Sequence, residues 1–357
     1  MHQFNSSKNR STFDSILDAL SFTPLGAFGV VILFLLPYIP PFNQEYLLRW
    51  LIVATYMASL AIAFDFTAGF INIVNFGFAA IVGLGGYISA ILCNELGISP
   101  WIGMFIGAMG AGALGLVIGI ITLRLRGIFA ACLAWFFGLA LMGLATKMVW
   151  LTRGPMGLRT PLLFKSASNE YYYYVILTMM LLTYLITKFV VRSKIGLAFK
   201  SIGQNMDAAR TSGVNPVYYR IFNFTLSCMI GGWLGGFYAH YYGILTPDLM
   251  LTSKTVEVLA VAYIGGRSSL WGGAVSAFPF VIIMEMVRST LSGLPGLNLL
   301  LYGIFLIIIM IYYPGGFSHF INTHIRNVSN PFLNYLMNGR TPSETLRMEK
   351  GVSYENL

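Results

Sequence analysis

Charged residues are scarce in this sequence, and their scarcity excludes most classes of protein. Asp, Glu, Lys and Arg make up 10% of the 357 residues, whereas they make up about a quarter of an ordinary soluble domain. A disordered chain needs few apolar residues, and a soluble globule needs enough polar side chains to cover its surface. This chain meets neither requirement, because 57% of its residues are hydrophobic. The composition predicts an all-α polytopic membrane protein, since helices satisfy their own backbone polar groups inside a bilayer.

Cysteine clusters and nucleotide-binding loops are also absent from the sequence. The three cysteines, Cys93, Cys132 and Cys228, show no metal-ligand spacing. There is no Gly-x-x-x-x-Gly-Lys-Ser/Thr loop, no His-Glu-x-x-His pair and no Gly-x-Ser-x-Gly elbow. We therefore expect no enzyme activity, no metal and no cofactor in this chain. Any energy source that the protein uses is expected on another chain.

The hydrophobic residues form long runs separated by short polar segments. A helix needs about 20 apolar residues to cross the hydrocarbon core. Ten runs are candidate spans, at 22–42, 47–65, 69–93, 100–123, 127–150, 171–191, 218–242, 254–266, 270–290 and 297–313. Glycines break the third run, and the eighth is too short to cross alone unless it is tilted or discontinuous. The sequence predicts a bundle of about ten transmembrane helices, one or two of them broken or short.

The basic residues predict the orientation of this bundle. If the N-terminus is inside, most of the 22 Lys and Arg residues lie at the inner ends of the spans. The positive-inside rule then places both termini in the cytoplasm. The predicted organisation is a cytoplasmic N-terminal segment at 1–21, a transmembrane domain at 22–313 and a cytoplasmic tail at 314–357. The longest inner loop between spans lies at 192–217.

This inner loop carries a helical pattern of apolar and small residues. Phe199, Ile202, Met206, Ala209 and Gly213 recur at spacings of three and four, which predicts one face of a helix. The segment is too polar to cross the bilayer. Amphipathic helices of this kind lie on a membrane surface or insert into a partner's groove. The pattern alone leaves both interpretations open.

Polar side chains inside the predicted spans are candidates for a translocation path, because such groups are costly in lipid. The candidates are Asn72, Asn75, Glu257 and Glu285. Each glutamate lies three residues from a basic residue, Lys254 or Arg288, so local ion pairing is the alternative for both. Hydrogen bonding between helices is the alternative for the two asparagines. We expect Asp65 to be a solvated helix end and His240 to have a packing role.

Several motifs, in order along the chain, resemble those of one family. Asp207-Ala208-Ala209 followed by Gly213 is similar to the Glu-Ala-Ala-x-x-x-Gly signature of ABC importer permeases. The segments at 123–129, 152–158, 193–196, 238–242 and 265–272 resemble motifs of the branched-chain amino acid permeases of the LivM type. The resemblance covers roughly residues 60–316, and close relatives in this superfamily carry urea and short amides. One departure is Leu139, where the family usually has glutamate.

The resemblance implies the permease subunit of an ABC importer that carries branched-chain or other hydrophobic amino acids. In that family the signature loop sits in a cleft of the cytoplasmic ATPase. It implies a coupling role here for Gly196, Ala198, Phe199, Ile202, Met206, Asp207, Ala208, Ala209 and Gly213. The implied partners are a second homologous permease, two cytoplasmic ATP-binding subunits and an extracytoplasmic solute-binding protein. The implied location is the plasma membrane of a prokaryotic cell.

The longest outer loop lies at 151–170, and its part at 151–165 is expected to meet the solute-binding protein because of its length and placement. Its candidate contact residues are Thr152, Arg153, Gly154, Pro155 and Gly157. Two alternative functions stay open. One is a urea or short-amide permease, and the other is a stand-alone ion-coupled transporter that uses Glu257, Glu285 and Asp65 as ion sites. The sequence does not decide whether the paired permeases are identical.

Overall fold

The protein is built almost entirely from helices. The structure, a computed structural model, describes residues 24–38, 44–122, 125, 128–164 and 168–290, and the single positions 300, 303, 304, 307 and 311. The α-helices of this described part are α1 Pro24–Leu35, α2 Glu45–Ala68, α3 Phe78–Leu96, α4 Pro100–Thr122, α5 Ile128–Lys147, α6 Val149–Thr152, α7 Asn169–Arg192, α8 Lys194–Gln204, α9 Met206–Thr211, α10 Pro216–Tyr242, α11 Thr252–Gly265 and α12 Leu270–Thr290.

Short elements lie between these helices. Single 3-10 turns occur at Leu36–Tyr38, Gly154–Met156 and Pro247–Met250. Two strands of two residues each, β1 Leu158–Arg159 and β2 Ile244–Leu245, pair antiparallel. Leu158 faces Leu245 and Arg159 faces Ile244 in this register. The pair ties the loop before α7 to the end of α10.

Five helices are long and apolar enough to cross a membrane, namely α2, α3, α4, α5 and α7. The helices α11 and α12 pass the same test together, with a bend of 114° at the break between them. The prediction of an all-helical polytopic membrane protein is therefore confirmed. The range 297–313, the segment 1–21 and the tail 314–357 lie almost wholly outside the described residues. The total of about ten spans and the cytoplasmic termini stay predictions.

The eighth predicted span does not cross the bundle as one straight helix. At 1.5 Å per residue, the 14 residues of α11 extend about 21 Å, which is short of a hydrocarbon core about 30 Å thick. The chain turns sharply at 266–269 and returns as α12. The sequence allowed for a short or discontinuous helix here, and the structure has that form.

The third predicted span begins later than the hydrophobic run suggested. Residues 69–77 are not helical, and α3 starts only at Phe78. Asn72 adopts a left-handed conformation with φ of 58°. The side-chain oxygen of Asn75 accepts a hydrogen bond from the backbone nitrogen of Gly77 at 3.1 Å. Asn72 and Asn75 therefore lie in a non-helical linker, so the prediction of a span that begins at residue 69 is wrong in its first nine residues.

The long helix α10 packs closely against α3 and α4 in the middle of the bundle. Small residues allow this approach, which is the usual basis of helix packing in lipid. A Cβ atom built on Gly86 would lie 2.8 Å from the carbonyl oxygen of Gly235. One built on Gly236 would lie 3.1 Å from Cα of Met104. The glycines of these helices are thus contact points between backbones.

The loops group at two ends of the bundle. At one end, called here the lower end, lie the end of α2, the helices α8 and α9, and the turn at 266–269. Phe199 in α8 contacts the ring of Phe66 in α2, with 5.7 Å between the ring centroids. At the upper end lie the loop at 153–164 and the segment at 243–251, joined by the β1–β2 pair. The lower end contains the loops predicted to be cytoplasmic.

Candidate functional site

A cavity of about 190 Å³ lies among α2, α3, α10, α11 and α12. Its polar lining residues are Tyr56, Tyr238, Tyr242, Lys254, Glu257 and Glu285. Its apolar lining residues include Val53, Leu60, Phe78, Val258, Phe280 and Val281. The two glutamates predicted for the translocation path therefore lie in one cavity. A cavity of mixed polarity between helices is the usual setting for a solute site.

The ion pair expected between Lys254 and Glu257 is present in the cavity wall. Nζ of Lys254 donates to Oε1 of Glu257 at 3.0 Å and lies 3.1 Å from Oε2. The Glu257 side chain is 8% exposed, and that of Lys254 is 37% exposed. The pairing lowers the cost of holding the carboxylate in the bundle. Glu257 therefore forms the local ion pair and also lines the cavity. The sequence had offered these two roles as alternatives.

Tyr56 adds an unused hydrogen-bonding group to the same wall. The residue is 6% exposed, and its hydroxyl has no hydrogen-bond partner among the described residues. Its ring lies 5.6 Å from that of Tyr238. A buried hydroxyl without a partner costs about 1–3 kcal/mol. The wall therefore offers a hydrogen bond to a solute or to water that enters the cavity.

Sequence reasoning missed the tyrosines of this cavity. Tyr238 and Tyr242 are four residues apart, so a helical count would have placed them on one face. Nothing local distinguishes Tyr56 from the other tyrosines of the chain. Its role depends on which helices surround α2, and a single sequence does not show that.

The two asparagine candidates are not part of the cavity lining. Asn75 is 3% exposed and bonds to the start of α3. Asn72 lies at the lower end, where its side-chain oxygen accepts a hydrogen bond from Nη2 of Arg267. The structure thus separates the asparagines from Glu257 and Glu285. Asn75 supports the linker before α3, and Asn72 joins that linker to the turn at 266–269.

Asp65 is buried rather than solvated, so the expectation of a solvated helix end is wrong. The residue is 2% exposed. Its Oδ1 accepts a hydrogen bond from the backbone nitrogen of Ser268 at 3.0 Å. The hydroxyl of Ser268 donates to the carbonyl oxygen of Gly69 at 2.8 Å. The turn between α11 and α12 covers the end of α2, and this contact is distant in sequence.

The segment 196–213 is two helices rather than one continuous helix. Asn205 separates α8 from α9, and its side-chain oxygen accepts from the backbone nitrogens of Asp207 at 3.0 Å and Ala208 at 3.1 Å. This is an N-cap, which starts a new helix. The spacing pattern continued across Asn205 and could not reveal the break.

The apolar stripe of this segment faces the chain itself. Phe199 is fully buried, and its ring lies 6.3 Å from that of Tyr219 in α10. The other buried members are Gly196, Ala198, Ile202 and Ala209, while Met206 is half-buried. Of the residues predicted to have a coupling role, Asp207, Ala208 and Gly213 are exposed. Periodicity showed which residues share a face, but not which surface covers that face.

The candidate contact loop at the upper end is held in place by its own hydrogen bonds. The hydroxyl of Thr152 donates to the carbonyl oxygen of Ala145 at 2.6 Å. Thr152, Gly154 and Gly157 are buried, so they are unsuited to contact a partner directly. The exposed residues of the turn are Arg153, Pro155 and Met156, and Met156 is 88% exposed. Met156 was not among the predicted contact residues.

His240 joins this loop to the bundle, which confirms the expected packing role. The residue is fully buried. Its Nδ1 donates to the carbonyl oxygen of Pro161 at 2.7 Å, and its Nε2 lies 2.8 Å from the hydroxyl of Ser89 in α3. Both ring nitrogens are therefore engaged. Within the described residues, no group of three or more His, Cys, Asp or Glu side chains could hold a metal ion.

Comparisons with known proteins agree with this architecture. The sequence model of one family, described as branched-chain amino acid transport system / permease component, matches residues 46–310. The chain is 24% identical over 285 residues to the high-affinity branched-chain amino acid transport system permease protein LivM of Escherichia coli (strain K12). It is 23% identical over 285 residues to the LivM protein of Salmonella typhimurium (strain LT2).

The two alignments leave part of each protein unmatched. Each covers 72% of this chain and 66% of the relative's own length, which is just under two thirds. No solved structure matches the chain significantly.

Proposed function

Because this chain belongs to the family of branched-chain amino acid transport system permease components, we propose that it is the transmembrane subunit of an ATP-driven importer of branched-chain or other hydrophobic amino acids. It is a multi-pass protein of the plasma membrane. The observation that carries the proposal is the cavity of mixed polarity inside the bundle. Such a cavity gives a small solute a place to lie between the helices.

The cavity is the proposed part of the translocation path. Glu257 and Glu285 line it together with Lys254 and three tyrosines. Its volume of about 190 Å³ is below the range of about 300–1,000 Å³ that drug-sized ligands occupy. This size suits a solute such as one amino acid. Asn72 and Asn75 lie elsewhere and support the fold around the path.

The helix α9 is the proposed contact with a cytoplasmic ATP-binding subunit. Asp207, Ala208 and Gly213 are exposed at the lower end, and Gly213 has φ of 81°, which favours glycine. Small residues on an exposed helix allow close approach of another chain. The buried residues of α8, above all Phe199, fix this element to the bundle.

Few contacts separate α8 from the helices that line the cavity, so a movement of α8 can reach them. Gly203 in α8 packs so closely on the linker at 69–77 that an added Cβ would overlap the carbonyl oxygen of Phe70. The same linker accepts the hydrogen bond from Ser268 through the carbonyl oxygen of Gly69. Ser268 lies in the turn between α11 and α12, and both of these helices line the cavity. We propose that these contacts couple movement of α8 at the ATP-binding subunit to the helices around the cavity.

The remaining partners follow from the same proposal. A second homologous permease would complete the pore, and two ATP-binding subunits would supply the energy. A solute-binding protein would meet the exposed turn formed by Arg153, Pro155 and Met156 at the upper end. ATP binding would then shift the bundle between two conformations, since a ligand shifts an equilibrium through its differential affinity for the two states.

The test is transport by the purified assembly. The tagged chain is isolated from its native membrane in mild detergent, and the chains that accompany it are identified by mass spectrometry. The assembly and its solute-binding protein are reconstituted in vesicles, and uptake of radiolabelled L-leucine is measured with and without ATP. We expect ATP-dependent uptake that vanadate blocks and that excess urea leaves unchanged. Uptake that needs an ion gradient instead of ATP would contradict the proposal.

A further inference from the structure

The cavity has a charged half and an apolar half. On α12, Glu285 lies more than one turn beyond Phe280 and Val281, and therefore nearer the upper end. On α11, Lys254 and Glu257 lie in the first two turns, which are also towards the upper end. The charged groups thus gather in the upper half, and apolar side chains line the half towards the lower end.

The charged half contains both signs of charge. Among the described lining residues there are one lysine and two glutamates. The hydroxyl of Tyr56 lies in the same region, buried and without a hydrogen-bond partner among the described residues. This hydroxyl adds a polar group to the wall beside the charged residues, and it can bond to a polar ligand.

We propose that this cavity binds the transported amino acid by its two charged ends and so selects for zwitterions. In this arrangement the substrate carboxylate lies against Nζ of Lys254 and the hydroxyl of Tyr56. The substrate ammonium group lies against the carboxylates of Glu257 and Glu285. The aliphatic side chain extends into the apolar half, beside Phe280. The inference rests on the proposed function, and it assigns part of the selectivity to the permease itself.

Electrostatics favours a zwitterion over other small solutes in this cavity. A zwitterion places one charged group against Lys254 and the other against the glutamates, whereas a solute with one charged end leaves one of these two sets without a partner of opposite charge. Urea and short amides add no charge, but they cannot use the lysine and the glutamates. They also leave the apolar half in contact with water. About 10–15 Å³ of such space admits one water molecule, so the cavity has ample room for an amino acid.

The experiment measures binding to the purified assembly without its solute-binding protein, in lipid nanodiscs. Radiolabelled L-leucine is the probe, and the competitors are leucinamide, 4-methylpentanoate and urea. We expect L-leucine to bind at least tenfold more tightly than each competitor. Tyr56→Phe removes only the hydroxyl, and we expect it to raise the Kd for L-leucine about tenfold, as for the loss of one hydrogen bond to a charged group. Tyr46→Phe is the matched control, since Tyr46 lies on the same helix and is 58% exposed.

The outcomes separate this inference from the proposed function. If the vesicles import L-leucine with ATP but 4-methylpentanoate or urea binds as well as L-leucine, the zwitterion site is refuted and the importer stands. The same holds if Tyr56→Phe binds L-leucine like the unaltered protein, or if the assembly binds no L-leucine. If ATP-driven import itself is absent, the proposed function fails. A second variant, Glu257→Gln, is expected to weaken L-leucine binding about tenfold, while binding of 4-methylpentanoate is not weakened because its carboxylate no longer faces the charge of Glu257.

Discussion

Asp65 and Ser268 lie 203 positions apart in the sequence, yet Oδ1 of Asp65 accepts a hydrogen bond from the backbone nitrogen of Ser268 at 3.0 Å. The bond joins the end of α2 to the turn between α11 and α12. Ser268 has φ of 61°, an uncommon conformation for a residue other than glycine. The carboxylate therefore holds a turn that would not be expected to keep this conformation alone.

Loss of the Asp65 carboxylate is predicted to loosen this turn. Asp65→Leu leaves the nitrogen of Ser268 without its partner, and we expect a loss of about 1–3 kcal/mol in the free energy of unfolding. Hydrogen–deuterium exchange of the amides at 266–269 should become faster. Asp65→Asn keeps an acceptor oxygen, so it serves as the control and should exchange almost like the unaltered protein. Equal exchange in all three proteins would contradict the role assigned to Asp65.

Phe199 is predicted to be needed for stability rather than for direct contact with a partner. Its ring is fully buried against Phe66 and Tyr219, so Phe199→Ala should cost about 3–5 kcal/mol through the cavity it leaves. Thermal unfolding in detergent measures the effect. Phe189→Ala is the matched control, because Phe189 is 78% exposed, and its melting temperature should change little. An unchanged melting temperature for Phe199→Ala would show that the ring is not part of the core.

How far the sequence predicts this structure depends on whether a feature is local. Hydrophobic runs located α2, α4, α5 and α7 within a few residues, because span length is set by bilayer thickness. The pairing of Lys254 with Glu257 was also predictable, since residues three apart share a helix face. The late start of α3 and the break at Asn205 were not predicted. Asn205 starts a new helix through its side-chain cap, and the linker before α3 is held by the hydrogen bond from the Gly77 nitrogen to Asn75.

Features that depend on distant contacts were beyond the sequence. The burial of Asp65 requires the turn at 266–269 to fold over the end of α2. The burial of Phe199 requires α8 to fold back onto α2 and α10. Tyr56 faces a cavity only because α11 and α12 return beside α2. A single sequence gives the pattern of each helix, and it does not give the neighbours of that helix.

The exposed face of α9 is predicted to be the contact with the ATP-binding subunit. Ala208→Trp places a bulky ring on an exposed position and should reduce solute-dependent ATPase activity at least tenfold, because close approach is blocked. The melting temperature of the isolated chain should stay unchanged. The control is Ala140→Trp, which introduces the same side chain on the exposed face of α5. Full coupling in Ala208→Trp would rule out this face as the contact.

The turn at the upper end is predicted to set the affinity for the solute-binding protein. Met156 is 88% exposed, and methionine is enriched at protein–protein interfaces relative to the rest of the surface. Met156→Glu should raise the concentration of binding protein needed for half-maximal uptake about tenfold. Binding of L-leucine to the cavity should not change, because the turn lies outside it. If half-maximal uptake is unaffected, the binding protein contacts another part of the upper end.

Gly235 in α10 is predicted to tolerate no side chain. An added Cβ would overlap the carbonyl oxygen of Val82 in α3, so Gly235→Ala forces apart two backbones in the centre of the bundle. Strain of this kind costs about 1–3 kcal/mol or more. Gly143→Ala is the matched control, because Gly143 lies in helix α5 with no atom within 4 Å of an added Cβ. There the change should be neutral or should raise the free energy of unfolding by about 1 kcal/mol, since alanine favours the helix. Thermal unfolding of both variants in the same detergent decides the point, and equal melting temperatures would show that α3 and α10 are not in close backbone contact.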